Sequence, residues 1–80
     1  MAVLKNVDFR VMTVFGRYFA RDNSSKALAD AAEYIAVAEG YEKNQLRIEF
    51  EEGVRNNATD QKHTWICMRL LDEAVKNLEA

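Results

Sequence analysis

Apolar residues fall into four blocks along the chain, separated by the polar clusters RDNSS (residues 21–25), EGYEKN (39–44) and EEGVRNNATDQ (51–61). In the second block Leu28, Ala31, Ala32 and Ile35 recur at i, i+3, i+4 and i+7. Asn23, Ser24 and Ser25 precede them as N-cap residues and Gly40 follows, which predicts a helix over residues 25–39 stopped by a left-handed glycine. Its alanine-rich stripe is narrow and allows another backbone to approach closely. In the fourth block Asp60 is the expected N-cap, and Ile66, Cys67, Leu70, Leu71, Ala74, Val75 and Leu78 share one arc of a helical wheel. This predicts an amphipathic helix of about five turns, with an arc wide enough to need a broad packing partner such as a sheet face.

The other two blocks read as strands. Val7, Phe9, Val11, Thr13 and Phe15 alternate, and Val, Phe, Tyr and Thr dominate a segment almost free of strong helix formers. A helix there would be apolar over more than half its wheel. Gly16 then marks a hairpin turn or a bend in one long strand. In the third block Leu46, Ile48 and Phe50 alternate with Arg47, Glu49 and Glu51, the pattern of a half-buried strand, and a helix would turn Ile48 away from its two neighbours. Each strand supplies the ladder partner the other needs. The expected fold is therefore α+β: a small two- or three-stranded sheet with two helices on one face, in the order strand, optional hairpin strand, helix, strand, helix. An all-α four-helix bundle is the alternative.

Eighty residues accommodate one domain, residues 1–80. Apolar residues make up 49 % and charged residues 30 %, a globular balance. With a single cysteine, Cys67, and neither a signal-peptide pattern nor a long apolar run, the chain reads as cytoplasmic, with no membrane and no cofactor expected. The net charge of −2 conceals a gradient, because residues 1–22 hold four bases and two acids whereas residues 23–40 hold one base and three acids.

Ala36, Gly40, Tyr41, Leu46 and Phe50 reproduce a spacing that resembles the helix-turn-helix core of AraC-type transcription regulators, over residues 35–50. The resemblance implies that the segment after the turn enters the major groove of DNA. That segment carries Glu42, Glu49, Glu51 and Glu52 against Lys43 and Arg47, and four acids repel phosphates. Nucleic acid is accordingly not the expected partner, and a transcription regulator is kept as the alternative function. Arg10, Arg17 and Arg21 would form one narrow stripe on a helix, fit for phosphates or an acidic partner; on a strand the stripe dissolves into a basic edge that discourages aggregation. His63 and Cys67, four apart, share a helix face, yet two ligands make no zinc site and no third residue orients a nucleophile. The expected metal and catalytic sets are empty: the glycines at 16, 40 and 53 form no phosphate loop, and adjacent carboxylates such as Glu51 and Glu52 diverge.

Trp65 fits its surroundings worst, because it falls outside the apolar arc among Gln61, Lys62, Arg69 and Asp72. The preferred explanation is cover by residues 53–57 or by the N-terminus; the other is that Trp65 anchors a second protein, since Trp and Arg dominate interface hot spots. Trp65, Arg69, Arg10 and Arg17 are the candidate partner-binding residues. The expected function is a small non-enzymatic interaction domain, an adaptor, inhibitor or regulatory subunit that binds another protein and is suited to homodimerisation.

Overall fold

In the computed structural model, which describes residues 9–79, the chain forms four helices: α1 (Arg10–Asp22), α2 (Ser25–Val37), α3 (Tyr41–Arg55) and α4 (Gln61–Glu79). No strand occurs among the described residues. The expected α+β fold with its small sheet is therefore corrected to the all-α alternative, while Val7, the first residue assigned to a strand, lies outside the described residues.

Tertiary packing explains why the first block is helical in spite of its composition. Met12, Gly16, Phe19 and Ala20 are buried, and Phe9, Val11 and Phe15 pack partly buried against them. The apolar arc is wide because α1 has neighbours on two sides. The Phe15 ring lies 6.0 Å from that of Tyr34 on α2, and the Phe19 ring 6.3 Å from that of Phe50 on α3. A stripe too broad for a helix with one neighbour suits a helix with two. In the third block the controlling spacing is Leu46, Phe50 and Val54, all buried at i, i+4 and i+8. Ile48, the residue that suggested alternation, points outward and is 45 % exposed.

The helix ends follow local chemistry. The Ser24 hydroxyl oxygen accepts the amide of Ala27 at 3.1 Å and opens α2 as an N-cap. Asn23, with φ 56°, closes α1 in the left-handed region that asparagine tolerates. Gly40 does not stop α2 in the expected left-handed manner: α2 ends at Val37, Ala38 is extended, and Gly40 (φ 60°, ψ −135°) precedes the first turn of α3. Of the stripe read from the spacing, Ala31, Ala32 and Ile35 are buried and Leu28 is partly buried against the core, where Ala27 is buried as well.

Helices α1 and α3 meet backbone to backbone at two glycines. A Cβ at Gly16 would overlap the carbonyl oxygen of Phe50 and sit 3.0 Å from the amide nitrogen of Val54. A Cβ at Gly53 would overlap the carbonyl oxygen of Thr13 and sit 3.0 Å from the amide nitrogen of Arg17. Gly16 is thus a packing residue inside a helix, and no hairpin or strand bend forms there. Beside this contact the Thr13 hydroxyl donates to Glu49 Oε1 at 3.3 Å, which marks the flank of α3 that turns to α1.

On an open helix face, glycine to alanine stabilises by up to ~1 kcal/mol. Here Gly16→Ala and Gly53→Ala should each destabilise by about 2–3 kcal/mol, because the added methyl meets main-chain atoms that cannot rotate away. Urea unfolding of the two variants checks the sign, and a gain in stability would exclude the close crossing.

Candidate functional site

The opposite flank of α3 faces α4 and carries Arg47, Glu51 and Arg55 at successive i+4 steps. Asp60 fixes the start of α4, its Oδ1 accepting the amide of His63 at 2.8 Å, the N-cap the sequence predicts. From there α4 buries Cys67, Met68, Leu71 and Val75 against the other helices. No sheet face meets its wide arc, and Ile66 and Leu70 stay exposed.

Polar ties set the lateral position of α4 on α3. The Arg47 guanidinium donates through Nε and Nη2 to the two oxygens of Asp72 at 2.7 and 2.9 Å, a bidentate pair, and Lys43 pairs with Glu79. Within α3, Glu51 accepts from Arg55 and lies 3.9 Å from Arg47, so one carboxylate sits between two guanidiniums. The hydrogen bond to Asp72 raises the Arg47 pKa further, which keeps this side chain cationic.

Between the helices runs a groove of about 550 Å³. Trp65 and Met68 supply its apolar surface, while Arg47, Glu51, Arg55, Gln61 and Thr64 supply the polar rim. Trp65 is 60 % exposed, so residues 53–57, belonging to the end of α3 and the turn after it, do not give the cover preferred from sequence. The other proposed cover, the segment before residue 9, lies outside the described residues. The Arg69 guanidinium stands 5.4 Å from the centre of the indole ring and orients it by a cation–π contact. The result is an exposed aromatic surface edged by the guanidiniums of Arg47, Arg55 and Arg69, which are paired with Asp72, Glu51 and Glu73 respectively.

The four candidate partner-binding residues divide between two surfaces. Trp65 and Arg69 lie together on α4, whereas Arg10 and Arg17 lie on the exposed face of α1, across α3. Since α1 is a helix, the stripe of Arg10, Arg17 and Arg21 exists, and the basic strand edge expected in its place does not. Sequence reasoning missed Arg47, Glu51 and Arg55. Their i, i+4, i+8 spacing would have shown one ridge had the block been read as a helix.

Two other candidates look different in three dimensions. His63 Nδ1 accepts the amide of Thr59 at 3.1 Å, and Cys67 is buried, which pushes its thiol up and disfavours the thiolate. Among the described residues no three of His, Cys, Asp and Glu are grouped to hold a metal ion. The segment that resembles a helix-turn-helix core consists of parts of two helices, with residues 38–40 joining α2 to α3. The two bases Lys43 and Arg47 turn to acids of α4, and Tyr41, Ile48 and Glu52 are left on the exposed side. No described helix is long and apolar enough to cross a membrane.

The architecture is that of a small all-α protein with a Trp-walled groove. No protein-family model, curated protein or solved structure matches the chain.

Cys67 should resist alkylation by iodoacetamide in the native protein at neutral pH and react quickly in urea, because the reactive thiolate is suppressed by burial. Mass spectrometry of the adduct follows this directly. Stoichiometric labelling of the folded chain within minutes would show an accessible, activated thiol.

Proposed function

We propose that the chain is a small non-enzymatic protein-interaction domain of the cytoplasm, an adaptor, inhibitor or regulatory subunit, that holds its partner at the Trp65 groove. The single observation that carries this reading is the exposed indole, stacked by Arg69 and backed by the buried Met68. A tryptophan exposed to this extent on a monomer leaves apolar area in water, and covering it on association is favourable by about 25 cal/mol per Å². Trp and Arg are also the residues whose truncation costs binding most, commonly ~2 kcal/mol or more. The non-enzymatic reading is supported by the protonated, buried character of Cys67 and by the engagement of His63 with Thr59.

Affinity capture from native cell extract, run in parallel with wild type and Trp65→Ala, tests the proposal. A partner retained by wild type should be lost, or bound roughly thirtyfold more weakly, with the variant. Equal recovery by both would remove the groove from consideration. Arg69→Ala should give a smaller loss in the same assay, since it removes the stacking partner and leaves the indole.

A DNA-binding regulator is the second reading, supported by the short connection between the helices α2 and α3, where the sequence resembles a helix-turn-helix core. Against it stand the acids of α3 and the pairing of Lys43 and Arg47 with α4. Titration with duplex DNA at several salt concentrations separates the two readings, because groove binding demands a log–log slope of about −0.9 for each phosphate contacted. Sequence-specific binding abolished by substitutions in α3 would favour the regulator.

A further inference from the structure

The Trp65 groove has a neighbour. A second, smaller hollow of about 310 Å³ lies on the outer side of α3, lined by Ile48, Glu51, Glu52 and Arg55. Glu51 and Arg55 line both hollows, so the two adjoin along that ion pair. The Arg55 side chain is 67 % exposed, and a surface pair of this kind divides the hollows without walling them off. The joint surface offers two apolar patches on neighbouring helices: Trp65, backed by Met68, on α4, and the exposed Ile48 on α3.

Charge along this surface is almost fully answered from within the chain. Arg47 is paired with Asp72, Arg55 with Glu51, and Arg69, which stacks on the indole, with Glu73. A guanidinium that already holds a carboxylate offers little to an acidic ligand, which would have to displace the existing partner. Glu52 is different. Its side chain is exposed, lines the second hollow and makes no ion pair or hydrogen bond with any described residue, since Arg55, three positions on, turns to Glu51 instead. It also lies four residues after Ile48, on the same face of α3. An unpaired carboxylate beside an apolar patch favours a cation that brings apolar surface with it.

Resting on the reading of the groove given above, we infer that its occupant is a peptide segment of the partner protein with one bulky apolar residue for Trp65, a second for Ile48 and, next to the second, a Lys or Arg for Glu52. A long cationic side chain suits the last position, because its methylenes cover Ile48 while its head reaches the carboxylate. Two small adjoining hollows take successive side chains of one narrow segment, the arrangement by which grooves read peptides. Duplex DNA would meet Glu52 as a repulsion.

The test selects a short random-peptide library, displayed on phage, on immobilised wild type. Enriched peptides should combine apolar residues with Lys or Arg, and one of them, labelled and followed by fluorescence anisotropy, should bind more weakly as salt is raised. Trp65→Ala should reduce its affinity roughly thirtyfold, and Ile48→Ser should reduce it by a smaller factor. Glu52→Lys should reduce it roughly tenfold. Exchanging the basic residue of the peptide for Glu should then restore binding to Glu52→Lys and weaken binding to wild type, a reversal that a damaged fold would not produce. Enriched peptides without a basic residue, or no recovery on charge exchange, would overturn the inference and leave the groove reading standing. Peptides that bind Trp65→Ala as well as wild type would remove the groove itself. A library that yields no binder, while capture from extract still returns a Trp65-dependent partner, would overturn the peptide occupant alone. If circular dichroism shows Glu52→Lys unfolded, Glu52→Gln replaces it, and an unchanged affinity for the Lys-bearing peptide would count against the inference.

Discussion

The contact on which the rest of this structure depends is the glycine crossing of α1 and α3. With no Cβ at Gly16 or Gly53, main-chain atoms of the two helices come into direct contact. Helices usually pack with axes 8–10 Å apart, the distance being set by the side chains between them. Removing those side chains lets Phe19 reach Phe50 and lets Met12 and Val54 be fully enclosed in a chain of only eighty residues. A small domain has little core, so close approach at one crossing has a large effect on how much of it is dry.

That crossing also assigns the two flanks of α3. Glu49 and Gly53 go to α1, which leaves Arg47 and Glu51 for α4. The groove is the space that remains where α4 leans on α3 through Met68 and the Arg47–Asp72 pair. Exposed ion pairs contribute at most ~1 kcal/mol each, so burial of Leu71, Met68 and Val75 holds α4 in place and the charges fix its rotation. Rotation is what exposes Trp65: its neighbour Ile66 turns to one side of the helix, Met68 turns inward, and the indole is left beside the guanidiniums.

Two helices were legible in the sequence and two were not. Helices α2 and α4 have a clear period, with Ser24 and Asp60 as caps, and the caps act as their chemistry requires. Helices α1 and α3 carry local signals that favour strands, through β-branched and aromatic residues in one and the triplet Leu46, Ile48, Phe50 in the other. Propensity is a weak preference that burial overrides. The strand reading of α3 had a cost for the site as well, since alternation puts Arg47, Glu49 and Glu51 on one face, whereas the helix sends Glu49 to α1 and the other two to α4. Trp65 could be singled out because it broke the pattern of its own helix. Arg47 and Arg55 could not, because their role depends on which helix lies beside them.

The chain by itself determined the positions of its breaks, the helical character of its second and fourth blocks, the caps, the odd placement of Trp65 and the sorting of charge. Those properties are local, written in residues a few positions apart. The tertiary structure decided whether the ambiguous blocks were strands or helices, whether Gly16 was a turn or a contact, and whether three arginines formed a stripe. Those outcomes rest on contacts between residues some thirty to forty positions apart, such as Thr13 with Glu49 and Phe19 with Phe50, and the energy of burying such pairs exceeds the small differences in backbone preference that a single segment can express.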